Sequence, residues 1–304
     1  MKEITVKQMI SQEEVDSLEG KFLDHTHYDT IINEDTIIRK ENGDPLIVFI
    51  KNCIPSNQAK QAYYAFRKAV APTNNRAIAA GPLNVKVGDV IDGNVVGKLL
   101  GGNRYAPVRK DGTLSNSVMG KTVDSGIIGY ADRYARIPYC RTTAFTEKNL
   151  EDYKKTLPYI QSISDLFRQY LPERWEKQYE MHEQTSNDFK IANTVFTTIT
   201  VNKNFRTAAH YDKGDLPEGF GNLAVLKTGE YEGAYTVIPK YRVGVDVRNC
   251  DLALFDVHEL HGNTETFSKK PYERISIICY YRKKMIDCGS AEQELERVKN
   301  AGSF

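Results

Sequence analysis

The chain has 304 residues, 40% of them hydrophobic and 27% charged, with a formal net charge of +1. That length supports one large domain with elaborations, or two intimately packed halves, and the longest apolar runs, such as Leu46–Ile50, fall far short of a membrane span. The N-terminus lacks a basic-then-apolar export pattern, so a cytoplasmic or nuclear location is expected. Five cysteines (Cys53, Cys140, Cys250, Cys279, Cys288), scattered and without a C-x-x-C, point to a reducing compartment and against a cysteine-rich zinc site.

In chain order, Ser11 followed by Gln12, Glu13 and Glu14 predicts a capped helix running to about Leu23. Thr36–Arg39 and Pro45–Ile50 read as short strands, and Ser56 as the cap of a helix over Asn57–Val70. From Asn74 to Cys140, Gly, Asn and short apolar runs predict loops and short strands of functional rather than linker character. Thr146 and Glu147 open a helical stretch to about Gln184, with a break expected at Pro158. Thr194–Val201, Leu223–Lys227, Tyr235–Ile238, Val243–Val247, Leu252–Phe255 and Arg274–Tyr281 then follow as short β-branched or aromatic runs. Such spacing predicts an antiparallel jelly roll, giving an α+β chain with a double-stranded β-helix core flanked by helices. A last helix is expected around Ala291–Lys299.

Charge is unevenly spread. Between Lys60 and Arg141 there are 13 Lys and Arg against 5 Asp and no Glu. A basic segment in a neutral chain suits a phosphate backbone, or else forms a solvated face balanced by the acidic remainder.

Six histidines carry the candidate chemistry: His25, His27, His182, His210, His258 and His261. His182 lies in a polar helical stretch and is expected at the surface. His27-Tyr28-Asp29 is a His-x-Asp pair with no third histidine in reach. His210 and Asp212 follow a predicted strand, where alternation turns both side chains to one side. Two imidazoles and a carboxylate are the facial set of a non-haem Fe(II) oxygenase, and a downstream arginine (Arg274) suits bidentate capture of the far carboxylate of 2-oxoglutarate. His258 and His261 both qualify as third ligand. Their i, i+3 spacing is not the zinc-protease H-E-x-x-H, and Gly120-Lys121-Thr122 is not a P-loop, because the required first glycine falls at Ser115.

The runs Ala209-His-Tyr-Asp-Lys-Gly-Asp215, Gly221-Asn-Leu223, Glu259-Leu-His-Gly-Asn-Thr264 and Arg274-Ile-Ser276 resemble the oxygenase domain shared by TET 5-methylcytosine dioxygenases and base J thymidine hydroxylases. Ser125-Gly-Ile-Ile-Gly-Tyr130 and Arg136-Ile-Pro-Tyr-Cys-Arg141 look like the segment preceding that core. The Glu-Leu-His motif selects His261 over His258. The resemblance implies Fe(II) on His210, Asp212 and His261, with 2-oxoglutarate on Arg274 and Ser276 and O2 as co-reactant. Arg141 would hold the cosubstrate's other end or a phosphate. His258, Tyr130, Arg133 and Tyr139 become candidate substrate contacts, and Tyr105, Tyr130, Tyr134 and Tyr139, interleaved with Arg104, Arg109, Arg133 and Arg136, are candidate base-stacking partners or else packing residues. The expected reaction is hydroxylation of a 5-methylpyrimidine in DNA, 5-methylcytosine ahead of thymine, with the base flipped out or single-stranded. A hydroxylase of an amino acid, peptide or small metabolite is the alternative, and a non-catalytic jelly-roll binding module the third. The whole chain (1–304) would be one catalytic domain: an elaboration over about 1–190, the core over about 191–285 and a tail over 286–304. No structural zinc is expected, because the TET cysteine-rich region has no counterpart. Ala234 and Cys250 stand where glycines are expected.

Overall fold

The computed structural model describes residues 1–135 and 137–301; Arg136, one of the candidate substrate-side arginines, lies outside the described residues. A large sheet runs in the order Lys2–Val6, Thr36–Lys40, Pro45–Ile50, Leu252–Phe255, Gly221–Thr228, Glu273–Tyr280, Thr198–Lys203, Val123–Ala131 and Arg141–Thr142. Facing it is a four-stranded sheet of Gly262–Asn263, Thr236–Ile238, Val243–Val245 and Thr30–Ile32. Pairing is antiparallel throughout the central strands. This is the expected jelly roll, with the first 50 residues supplying edge strands to both sheets.

Register explains how the sheet serves two surfaces. Ile199, Val201, Ala224, Leu226, Ile275, Ile277 and Cys279 point to one face, where they form a core with the helices Ser56–Lys68 and Leu150–Tyr170. The residues between them, Thr200, Asn202, Ser276, Ile278 and Tyr280, point into the space between the sheets. The alternating strand pattern thus buries apolar groups under helices and leaves polar groups for the interior cavity.

Several local expectations change. The first helix has the Ser11–Glu14 capping box but spans only Gln12–Ser17, and Gly20 at φ +82° then turns the chain. Ser56 is the first helical residue, and Pro55 holds the cap position. Pro158 does not break its helix, which runs unbroken over Leu150–Tyr170. Pro158 and Lys154 are both exposed, so solvent can satisfy the Lys154 carbonyl that loses its donor. Ala234 and Cys250 adopt φ of +58° and +65°, so the glycine-like turns persist without glycine.

Two corrections concern single residues. Cys140 and Cys288, 148 positions apart, are disulfide-bonded rather than free thiols. Cys53, Cys250 and Cys279 are free. His182 is buried rather than solvated, at 5% exposure, because its helix (Pro172–Gln184) turns Gln178 and His182 inward. Burial, with Lys190 nearby, pushes its imidazole down to about 4. The unfolded chain, near 6.5, therefore binds more protons than the folded one between those values. His182 should contribute full stability above pH ~6.5 and lose it as pH falls, the loss levelling near pH ~4 at up to about 3 kcal/mol. Urea melts of wild type and His182→Gln at neutral and mildly acidic pH test this, and parallel pH dependence in the two would contradict it.

Candidate metal centre

His210 and His261 lie opposite each other in an antiparallel bridge, exchanging both backbone hydrogen bonds (2.9 and 3.1 Å). Gly262 makes the close approach possible, since a Cβ there would meet the Ala209 nitrogen at 3.0 Å and the Ala208 carbonyl carbon at 3.1 Å. The glycine after the distal histidine is thus a packing requirement of the site.

The ligand atoms of His210, Asp212 and His261 all lie within 4.8 Å of one another. The Asp212 carboxylate sits 3.6 Å from the Nε2 of each histidine. Nδ1–H of His210 donates to the Ala208 carbonyl (2.8 Å) and that of His261 to the Glu259 carbonyl (3.0 Å). Those bonds select the tautomer that leaves each Nε2 lone pair free for a metal. Burial, with His210 beside it, pushes His261 down to about 4, so its imidazole is neutral at physiological pH. Two imidazoles and one carboxylate fit a divalent first-row metal, with the remaining positions open.

The loop before His261 is held from behind. Lys40 Nζ donates to Asp256 and Glu259, both at 2.8 Å, while Lys240 (3.2 Å) and the Tyr241 hydroxyl (2.9 Å) also donate to Glu259. The glutamate of Glu-Leu-His therefore anchors the loop. His258, carried on the same loop, hydrogen-bonds Asp256 through Nδ1 at 3.3 Å and lines a surface hollow that shares Tyr211 and Lys213 with the metal cavity, which His258 itself does not line. It is outside the metal cavity, so neither a ligand role nor direct substrate contact in that cavity follows.

Arg274 and Ser276 share the interior face of the Glu273–Tyr280 strand. Ser276 lines the metal cavity, which holds about 330 Å³. Arg274 lies one step further along, 4% exposed, with Nε and Nη2 lacking any partner. A buried guanidinium without an acceptor is costly unless an anion joins it. The residues present therefore fit a carboxylate-bearing cosubstrate as well as a metal.

Four other expected contacts lie elsewhere. Arg141 is not in the metal cavity but lines a neighbouring one. Tyr130 packs edge-on against Phe189 (5.7 Å) and belongs to the core. Arg133 is committed to an ion pair with Glu294 of the C-terminal helix. Tyr139 is half-buried and lines neither cavity.

The metal cavity also contains residues that sequence reasoning missed. Arg76 enters from the loop after the short strand Ala71–Thr73 and donates to Ser125 Oγ (2.9 Å), which in turn donates to Asn202 (2.5 Å). Arg282 pairs with Asp132 (2.8 and 3.2 Å). Asp215 is buried beside Asp212, and burial, then Asp212, holds its carboxyl well above the usual range. The period-two alternation of Thr200 and Asn202 with the inward Ser276 was the available signal for the strand residues.

A family model described as the oxygenase domain of the 2OGFeDO superfamily, Tet_JBP, matches residues 126–283. Thymine dioxygenase JBP1 of Trypanosoma brucei brucei is 36% identical over 188 residues, 60% of this chain and 22% of that protein. Thymine dioxygenase JBP1-A of Trypanosoma cruzi is 28% identical over 291 residues, 93% of this chain and 30% of that protein. The bifunctional helicase and thymine dioxygenase JBP2 of Leishmania tarentolae is 36% identical over 186 residues, 58% of this chain and 16% of that protein. The chain thus spans less than a third of these relatives' lengths. Among solved structures, NgTET1 in complex with 5mC DNA superposes with a TM-score of 0.55 at 12% identity, covering 96% of this chain and all of that one, a likeness of fold. The superfamily's chemistry takes Fe(II), 2-oxoglutarate and O2. With the family model covering more than half of its residues, and a two-histidine, one-carboxylate cluster at the matched positions, the chain belongs to the TET/JBP family of 2-oxoglutarate- and Fe(II)-dependent oxygenase domains.

Proposed function

We propose that the chain is an Fe(II)- and 2-oxoglutarate-dependent dioxygenase that hydroxylates the 5-methyl group of a pyrimidine base in DNA. The observation carrying this reading is the His210–Asp212–His261 cluster, with Ser276 in the same cavity and the buried Arg274, whose Nε and Nη2 lack partners, two residues before it on the same strand face. When bound, iron and 2-oxoglutarate supply with O2 the oxidising power for C–H hydroxylation, 2-oxoglutarate becoming succinate and CO2. His210, Asp212 and His261 would hold the metal, and Arg274 the distal carboxylate, with Ser276 beside it. Asp215 and Arg282 set an acid and a guanidinium on the cavity wall, groups suited to reading the edge of a base. A cavity enclosed between two sheets admits a base only after it leaves the helical stack.

Thymine is the first base to test, ahead of the 5-methylcytosine expected from sequence. The relatives that are 34–36% identical are named thymine dioxygenases, whereas the 5mC-bound structure is only 12% identical. Oligonucleotides carrying thymine or 5-methylcytosine, single-stranded and duplex, are incubated with enzyme, Fe(II) and 2-oxoglutarate and digested to nucleosides for mass analysis. A hydroxymethylpyrimidine is expected. No oxidised base, alongside robust turnover of an amino acid or small metabolite, would favour the alternative hydroxylase reading.

A further inference from the structure

A second cavity, of about 480 Å³, adjoins the metal cavity and shares Arg76, Tyr280 and Arg282 with it. Its charge is one-sided. Arg76, Arg104, Arg141 and Arg282 line it against a single carboxylate, Asp132, which is already paired with Arg282. Among the described residues the other three form no ion pair. Arg104 Nε donates to the Gly101 carbonyl (3.0 Å) and Arg141 Nη1 to the Asp132 carbonyl (3.2 Å), contacts that occupy one donor each and neutralise nothing.

The cavity also has a stacking surface. Tyr134 is 45% exposed at its wall, with the Arg141 guanidinium 5.3 Å from the ring centroid. An exposed tyrosine backed by a guanidinium is a platform for a planar base. Elsewhere in the basic segment, Arg67 pairs with Glu273, Lys68 with Asp152 and Arg133 with Glu294, so these three do not compete for an anion in the cleft.

We infer that the second cavity is a binding cleft for the phosphodiester backbone of the DNA strand that delivers its base to the metal cavity. Arg104 and Arg141 contact phosphates flanking the target nucleotide, and Tyr134 stacks on a neighbouring base. Arg76 and Arg282 form the shared wall between backbone and base. Arg141 thereby serves the phosphate of the two roles that its sequence position allowed. The inference rests on the DNA reading above and adds the route by which the strand lies.

The test is anisotropy titration of a labelled thymine-containing oligonucleotide with the full chain between about 50 and 200 mM salt. Arg104→Gln/Arg141→Gln is expected to weaken binding about tenfold or more and to flatten the log–log salt dependence by about one per arginine. Tyr134→Ala should weaken binding with the salt slope unchanged, because stacking releases no counterions. A charge-matched control, Lys154→Gln/Lys155→Gln, alters the helix on the opposite face of the large sheet and should bind like wild type. Melting temperatures verify that each variant folds. An unchanged slope and affinity in the arginine double variant would overturn the cleft while leaving the DNA reading intact. So would equal loss in the lysine control, or loss of 2-oxoglutarate affinity with DNA affinity retained. Wild-type protein that binds no DNA would overturn the substrate reading and the cleft with it.

Discussion

Asp212→Ala is expected to abolish Fe(II)-dependent turnover of 2-oxoglutarate. Asp212 supplies the only carboxylate in the cluster and lies 3.6 Å from both histidine Nε2 atoms, so its loss leaves two imidazole nitrogens and no anionic donor. Removing partners that merely orient a ligand costs about 10- to 100-fold in affinity or activity, so losing the carboxylate itself should exceed about 100-fold. His261→Ala should behave alike and leave the backbone bridge to His210 in place, because that bridge uses main-chain atoms. The check is the visible charge-transfer absorbance of the anaerobic Fe(II)–2-oxoglutarate complex, together with succinate release. Asp212→Ala protein that retains both would contradict the ligand assignment.

Arg274→Met should move stability and function in opposite directions. In the protein without cosubstrate, Arg274 is a buried cation whose Nε and Nη2 have no partner. Replacing it with an apolar side chain of similar reach is expected to be neutral or to stabilise by about 1–4 kcal/mol. The same change removes the charge that would meet the distal carboxylate of 2-oxoglutarate, a loss of about 2–5 kcal/mol, or roughly 30- to 5,000-fold in affinity. Arg274→Lys should recover only part of this, because an ammonium cannot reproduce the two parallel N–H bonds of a guanidinium. Thermal melts with and without 2-oxoglutarate, and KM for 2-oxoglutarate, separate the effects. A Met variant that is both destabilised and unchanged in KM would make Arg274 a structural residue.

The centre was readable from sequence because its parts are short-range. A His-x-Asp on a strand needs only period-two alternation to aim both side chains alike, and Arg274-x-Ser276 obeys the same rule on its own strand. The third ligand was ambiguous from spacing alone. Its choice depended on the Glu-Leu-His-Gly pattern, whose reason is structural: Glu259 takes Lys40, Lys240 and Tyr241, and Gly262 lets the two histidine segments touch.

What escaped notice depends on tertiary placement. Cys140 and Cys288 sit far apart in sequence, and only the packing of the C-terminal segment against the loop before Arg141 brings them together. His182 lies in a polar helix whose buried stripe is itself polar, with Gln178 bonded to the Val195 carbonyl, so no apolar period advertised it. Arg76, Arg104, Arg141 and Arg282 come from four separate segments and share a cleft only once the sheets form. Tyr130, Arg133 and Tyr139 were adjacent in sequence to that cleft, but strand alternation and the bond to Glu294 direct them elsewhere.

The most direct measurement of the central claim counts products from one reaction. Enzyme, Fe(II), 2-oxoglutarate and a thymine- or 5-methylcytosine-containing oligonucleotide are combined in air, and succinate and oxidised nucleoside are quantified together. Both are expected in equal amounts for each hydroxylation, neither without iron, and neither with His261→Ala. Succinate formed at the same rate with or without DNA, and no hydroxymethylpyrimidine, would contradict the central claim.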